Sequence, residues 1–147
     1  MKSFEAELQD LTNREFILPT HSGSAAIVIA LIASGIPAGS EVIMPSVCCP
    51  AVLFAINLAG FHAILADVCT EDFCMDVNNI KDVTSEKTKA IIAVHIYGQA
   101  ADLDALLKFC QQHDIFLMRL DELDEEDGFP EHFSEGWKRR DDHWTVT

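Results

Sequence analysis

The sequence predicts an α/β domain with a parallel sheet, at least part of a three-layer arrangement. Short apolar runs alternate with helix-length segments along most of the chain. The runs are apolar throughout instead of alternating with polar residues, so both faces of each strand need cover, which helical crossovers supply. The chain has 147 residues, 49% hydrophobic and 23% charged. That is the size and composition of one ordinary domain able to bury a core.

Each element has a local reason. Phe4, Leu8 and Leu11 recur at helical spacing, which makes residues 4–11 a weakly amphipathic helix. Glu15-Phe16-Ile17-Leu18 reads as a short extended segment ended by Pro19. The run Ala25–Ala33 has helical length, with Ser34-Gly35 as its cap and Pro37 just beyond. It is apolar all round and must be covered on more than one side. Glu41–Met44 is a buried strand closed by Pro45. Pro50 opens a second apolar helix, Ala51–Ala59, and Gly60 closes it. His62–Ala66 is the next strand. Asp72, Asp76, Asn78 and Asn79 then mark a loop and a short helix. Ala90–His95 is the clearest strand, stopped by Gly98. Asp102 caps a helix whose Leu103, Leu106, Leu107 and Cys110 share one face. Ile115–Met118 is the last strand.

After Met118 the pattern collapses. Residues 118–147 hold ten Asp or Glu against four Lys or Arg, with Trp137 and Trp144 lacking periodic company. The expected division is a folded segment over 1–117 and an acidic, poorly ordered tail over 118–147. Formal net charge is −14, which argues against nucleic acid and against an anionic membrane surface, since both reward Lys and Arg. No apolar run is long and unbroken enough to span a bilayer. Cys48, Cys49, Cys69, Cys74 and Cys110 are odd in number, and polar sequence follows Lys2 where a signal peptide would be apolar. A reducing, cytoplasmic location is expected. The cysteine spacings do not form a zinc pattern, and His62 and His95 read as core or surface histidines.

The stretch that points to chemistry is His21-Ser22-Gly23-Ser24-Ala25-Ala26, a small polar loop running into a helix. Free amides and the positive dipole end of a helix suit a phosphate. Gly23 allows close backbone approach and Ser24 adds a hydroxyl. An ordinary N-cap would read the same way.

The motifs around it sharpen the signal. Ser22-Gly23-Ser24-Ala25-Ala26, then Gly39-Ser40-Glu41-Val42-Ile43-Met44-Pro45, then the strand ending in Asp67-Val68, then His95-Ile96-Tyr97-Gly98-Gln99 with Asp102 behind it follow in order. In this the chain resembles the DegT/DnrJ/EryC1/StrS family of fold-type I aminotransferases dependent on pyridoxal phosphate (PLP). The likeness covers residues 4–117, the front part of a typical member. It implies the N-terminal part of a fold-type I large domain, PLP as cofactor and a nucleotide-linked keto sugar as substrate. It also implies an active site at a homodimer interface. By resemblance Ser22, Gly23, Ser24 and Ala25 hold the cofactor phosphate. Cys49 stands where many members stack an aromatic on the pyridine ring; an apolar contact to the ring and a core cysteine are both open.

The family places an Asp against the ring nitrogen after the last strand, keeping the cofactor an electron sink. Continuing the register of Leu117-Met118-Arg119 puts Leu120 there, with Asp121 one residue late. The Schiff-base lysine lies downstream in the family, and Lys138 lacks its surroundings. The expectation is a truncated transaminase segment with no catalytic residue of its own, inactive alone. The alternatives are half of a split enzyme completed by a partner chain, or a small doubly wound binding domain. The last lacks any Gly-x-Gly-x-x-Gly or Walker loop.

Overall fold

The computed structural model describes residues 3–12, 14–97, 99–121 and 144–146. The elements run α1 (Phe4–Thr12), α2 (Gly23–Ala33), β1 (Glu41–Pro45), α3 (Pro50–Leu58) and β2 (His62–Ala66). They continue α4 (Val77–Val83), β3 (Thr88–His95), α5 (Leu103–His113), β4 (Phe116–Asp121) and β5 (Trp144–Val146). The strands form one sheet in the order β2-β1-β3-β4-β5, and every pairing is parallel. The chain steps from β1 outward to β2, then returns past β1 to lay down β3. The direction of growth therefore reverses between β1 and β3.

Strand alternation divides the core into two layers. Val42, Met44, Ile92, Val94, Met118 and Leu120 pack with Ile27 and Leu31 of α2 and with Val52 and Ile56 of α3. Ile43, Ile91, Ala93 and Leu117 pack on the other side with Ile80 of α4 and with Leu106, Phe109 and Cys110 of α5. Helices thus cover both faces, which is why the strands are continuously apolar. The fold is the expected three-layer parallel arrangement.

Helix ends follow the punctuation in the sequence. Ser34 ends α2, and Gly35 then takes a positive φ of 72°. Pro50 starts α3 at its first position, and Gly60 follows its end at φ 87°. Left-handed backbone at both exits is where glycine carries no Cβ cost. The Asp102 carboxylate accepts the Ala105 N–H at 3.0 Å and opens α5.

Four expectations are corrected in detail. Glu15–Leu18 forms no strand, and Phe16 and Leu18 are exposed. Helix α2 starts at Gly23, two residues before Ala25, because Ser22 is its cap. Strand β4 does not stop at Met118 but continues to Asp121, because Leu120 is apolar and fills the layer beneath α2 and α3. Trp144 is not isolated: Trp144–Val146 pairs with Met118–Leu120 as a fifth strand. Trp137 and Lys138 lie outside the described residues.

The two apolar helices bury one side and expose the other. Ile29 and Ile32 of α2, and Phe54 and Leu58 of α3, are open to solvent, Leu58 at 80%. Among the described residues, no helix is long and apolar enough to cross a membrane.

Candidate functional site

The geometry of the carboxyl edge of the sheet follows from the chain path. Helix α2 delivers the chain to the start of β1, so it runs against the strands and sets its N-terminus at their carboxyl ends. Ser22 has extended backbone, φ −164° and ψ 154°. Its Oγ accepts the Ala25 N–H at 3.2 Å. Its carbonyl accepts the Ala26 N–H at 3.1 Å and the Thr20 hydroxyl at 3.0 Å. The Ala25 amide is thus engaged by the cap. The amides of Gly23 and Ser24 stand at the first helical positions, where no carbonyl lies one turn back to accept them. A Cβ built on Gly23 would meet nothing within 4 Å, so open space lies against the mouth of the helix. Ser24 is half-buried beside it. Two open amides, a hydroxyl, a dipole end and free volume fit a phosphate group.

Cys49 precedes α3, just beyond the carboxyl end of β1. It is exposed, and its side chain makes no capping bond. It is therefore not a core cysteine. Leu120 stands in register with Val94 and is buried on the α2 side of the sheet, while Asp121 stands in register with His95. A leucine offers nothing to a ring nitrogen. The residues at the N-terminus of α2 fit the phosphate end of a pyridoxal cofactor, and Leu120, on the same side of the sheet, brings no charged group there.

His95 ends β3 on the α5 side. It is 7% exposed, and its Nδ1 accepts the Ala101 N–H at 2.9 Å. That bond needs an unprotonated Nδ1. Burial, and then the nearby Arg119 guanidinium, lower its pKa to about 4, which keeps the acceptor available. His62 is exposed at the opposite, amino end of the sheet in β2. Among the described residues, no three His, Cys, Asp or Glu side chains converge as a metal site.

The loop closed by His95 carries Tyr97, whose φ is 52°. After β2, Val68 bridges Met75 and the Cys69 N–H reaches the Cys74 carbonyl at 2.9 Å, folding the chain back on itself. At that turn Phe73 also has a positive φ, 59°. The Cys69 thiol donates to Glu71 Oε2 at 2.7 Å, a bond that raises its pKa. The Cys74 thiol donates to the Gln99 carbonyl at 3.7 Å, tying the two loops together. The rings of Phe73 and Tyr97 meet edge to face, with centroids 6.1 Å apart. Sequence reasoning missed this pair, because neither ring belongs to a periodic pattern. Two left-handed aromatics are themselves a signal, since such strain gathers at functional positions.

Sequence comparison matches residues 1–119 to the DegT/DnrJ/EryC1/StrS aminotransferase family. GDP-perosamine synthase of Vibrio cholerae is 33% identical over 115 residues, 78% of this chain and 31% of that protein. L-glutamine:2-deoxy-scyllo-inosose aminotransferase of Micromonospora echinospora is 34% identical over 119 residues, 80% of this chain and 28% of that protein. Among solved structures, NtdA of Bacillus subtilis with bound cofactor PMP superposes with a TM-score of 0.75 at 30% identity, covering 79% of this chain and 27% of that one. DesV of S. venezuelae, in complex with a ketimine intermediate, gives a TM-score of 0.75 at 28% identity, covering 79% and 31%. The chain spans about 30% of the length of the relatives it matches.

Proposed function

The chain belongs to the DegT/DnrJ/EryC1/StrS aminotransferase family, and on that premise we propose that it carries the phosphate end of a PLP site for amino transfer to a keto sugar. The observation that supports this most directly is the N-terminus of α2. The Gly23 and Ser24 amides are left open there, free volume lies against Gly23 with the half-buried Ser24 next to it, and the Ser22 hydroxyl holds the first turn in shape through Ala25. Ser22, Gly23 and Ser24 would seat the phosphate. Cys49 would offer its small apolar side chain to the ring from the end of β1. When bound, PLP supplies the electron sink for chemistry at the carbon bearing the amine. The relatives named GDP-perosamine synthase motivate a nucleotide-linked sugar as the substrate class.

These residues by themselves are proposed to hold the cofactor without turnover. Leu120 gives the ring nitrogen no charged partner, and a pyridine left unprotonated is a weak electron sink. The described carboxyl edge is the business end of a soluble cytoplasmic enzyme's fold in this reading, and the remaining catalytic groups come from elsewhere. A second version is favoured by one observation. The solvent-facing Ile29, Ile32, Phe54 and Leu58 suit an apolar partner surface, either a second copy or a chain completing the site.

The test is equilibrium binding of PLP, pyridoxal and inorganic phosphate to the purified chain, with Ser24→Ala alongside. PLP should bind more tightly than pyridoxal, and Ser24→Ala should weaken only the phosphorylated form. Borohydride should leave no reduced cofactor on any lysine, Lys138 included. Equal binding of PLP and pyridoxal would refute the phosphate site. A borohydride-fixed adduct would refute the noncovalent reading.

A further inference from the structure

The geometry points to a stacking site for the base of a nucleotide, built by Phe73 and Tyr97 over the carboxyl end of β1. This rests on the keto-sugar reading above and deepens it, because relatives include enzymes named for GDP-perosamine and others named for scyllo-inosose, which carries no base. Strands β2 and β3 flank β1, so their ends lie two strand spacings apart. Phe73 follows β2 and Tyr97 follows β3, yet their rings touch at 6.1 Å. The pair therefore arches across the end of β1, beside the place where the strand order reverses. Open α/β sheets bind ligands at such a reversal.

The arch is built, not incidental. The His95–Ala101 bond closes the loop beneath Tyr97. The Gln99 N–H returns to the Ile96 carbonyl at 2.8 Å, and the Cys74 thiol joins this loop to the Phe73 turn. Both aromatics accept left-handed backbone and are nonetheless left open, Phe73 at 46% and Tyr97 at 68%. Burial does not repay that strain, whereas a planar ligand stacked on the open face of one ring and met by the other at its edge would. Aromatic rings stack with any nucleobase because every base has a π-face.

The experiment is titration of the full chain with GDP, UDP, inorganic pyrophosphate and, separately, PLP. Tyr97→Ala, Tyr97→Phe and Phe73→Leu are compared with the unaltered chain, and melting curves confirm folding. GDP and UDP should bind more tightly than pyrophosphate. Tyr97→Ala should weaken both nucleotides by about tenfold while leaving PLP binding unchanged, and Tyr97→Phe should retain them. Phe73→Leu should weaken them independently if Tyr97→Ala does not fold. Nucleotide binding equal to pyrophosphate, or insensitive to both substitutions, overturns the site. PLP binding without nucleotide binding overturns this inference alone. Failure of PLP together with nucleotide binding overturns the cofactor reading and leaves the stacking site standing, and failure of both removes the two together.

Discussion

The backbone N–H of Ala101 donates to Nδ1 of His95 in a buried hydrogen bond, 2.9 Å long, beneath an exposed loop. A loop leaving the carboxyl end of a strand is thereby fastened by a side chain that must stay neutral to do it. The bond makes pH a direct probe of this edge of the sheet.

Stability should fall as pH is lowered through the window from about 6.5 to about 4. The His95 pKa is depressed to about 4 by burial and then by Arg119, against the ordinary value of about 6.5 in the unfolded chain. In that window the unfolded state binds the extra proton, so the stability present above it is lost as pH falls, by about 3 kcal/mol in total. Urea unfolding of the chain and of His95→Gln at pH 7 and pH 4.5 measures it. His95→Gln should be less stable at pH 7 and lose less on acidification.

Cap and ligand roles at α2 should separate. Ser22→Ala should cost about 1 kcal/mol, because the Ala25 N–H loses its acceptor. Ser24→Ala should leave the melting temperature nearly unchanged and reduce PLP binding. Thermal melts paired with cofactor titrations show both. Equal destabilisation by the two substitutions would contradict the division.

The two sides of α2 should respond oppositely to substitution. Leu31 is fully buried, and Leu31→Ala should cost about 2–5 kcal/mol. Ile32 is 63% exposed one residue later, and Ile32→Lys should change stability by less than about 0.5 kcal/mol. If this face meets a partner, Ile32→Lys and Leu58→Lys should also reduce self-association in sedimentation velocity.

Thiol reactivity should rank by environment. Cys49 is exposed, whereas Cys110 is buried, and burial pushes its pKa up to about 12. Only thiolates alkylate readily. Mass spectrometry after timed iodoacetamide treatment should find Cys49 modified first and Cys110 only after unfolding. Early labelling of Cys110 would show that α5 opens easily.

Much of this architecture was legible where punctuation and periodicity agreed. Gly35 and Pro37 bound α2, Pro50 and Gly60 bound α3, and Asp102 opens α5 in sequence and structure alike. Legibility failed at two kinds of place. Strand β4 runs on through Arg119 and Asp121 because Leu120 is anchored by the helices above it, a tertiary preference that a neighbouring acidic stretch conceals. The Phe73–Tyr97 contact joins two loops through the sheet order, which no local pattern encodes. Within the candidate site, Ser22 was readable as a cap. That the cap occupies the Ala25 amide and leaves Gly23 and Ser24 open is a matter of hydrogen-bond geometry alone.

Helix α2 touches both α3 and β5. Residues 23–33 and 144–146 lie far apart along the chain, yet they meet in the fold. The strands β1, β3 and β4 can pair while residues 144–146 are still being made, but α2 cannot complete its surroundings until then. Such a long-range closure is slow, because distant segments must be held together before their contacts form. During synthesis, then, an oily helix spends its time half-covered, and that interval is when a chaperone has most reason to hold this chain.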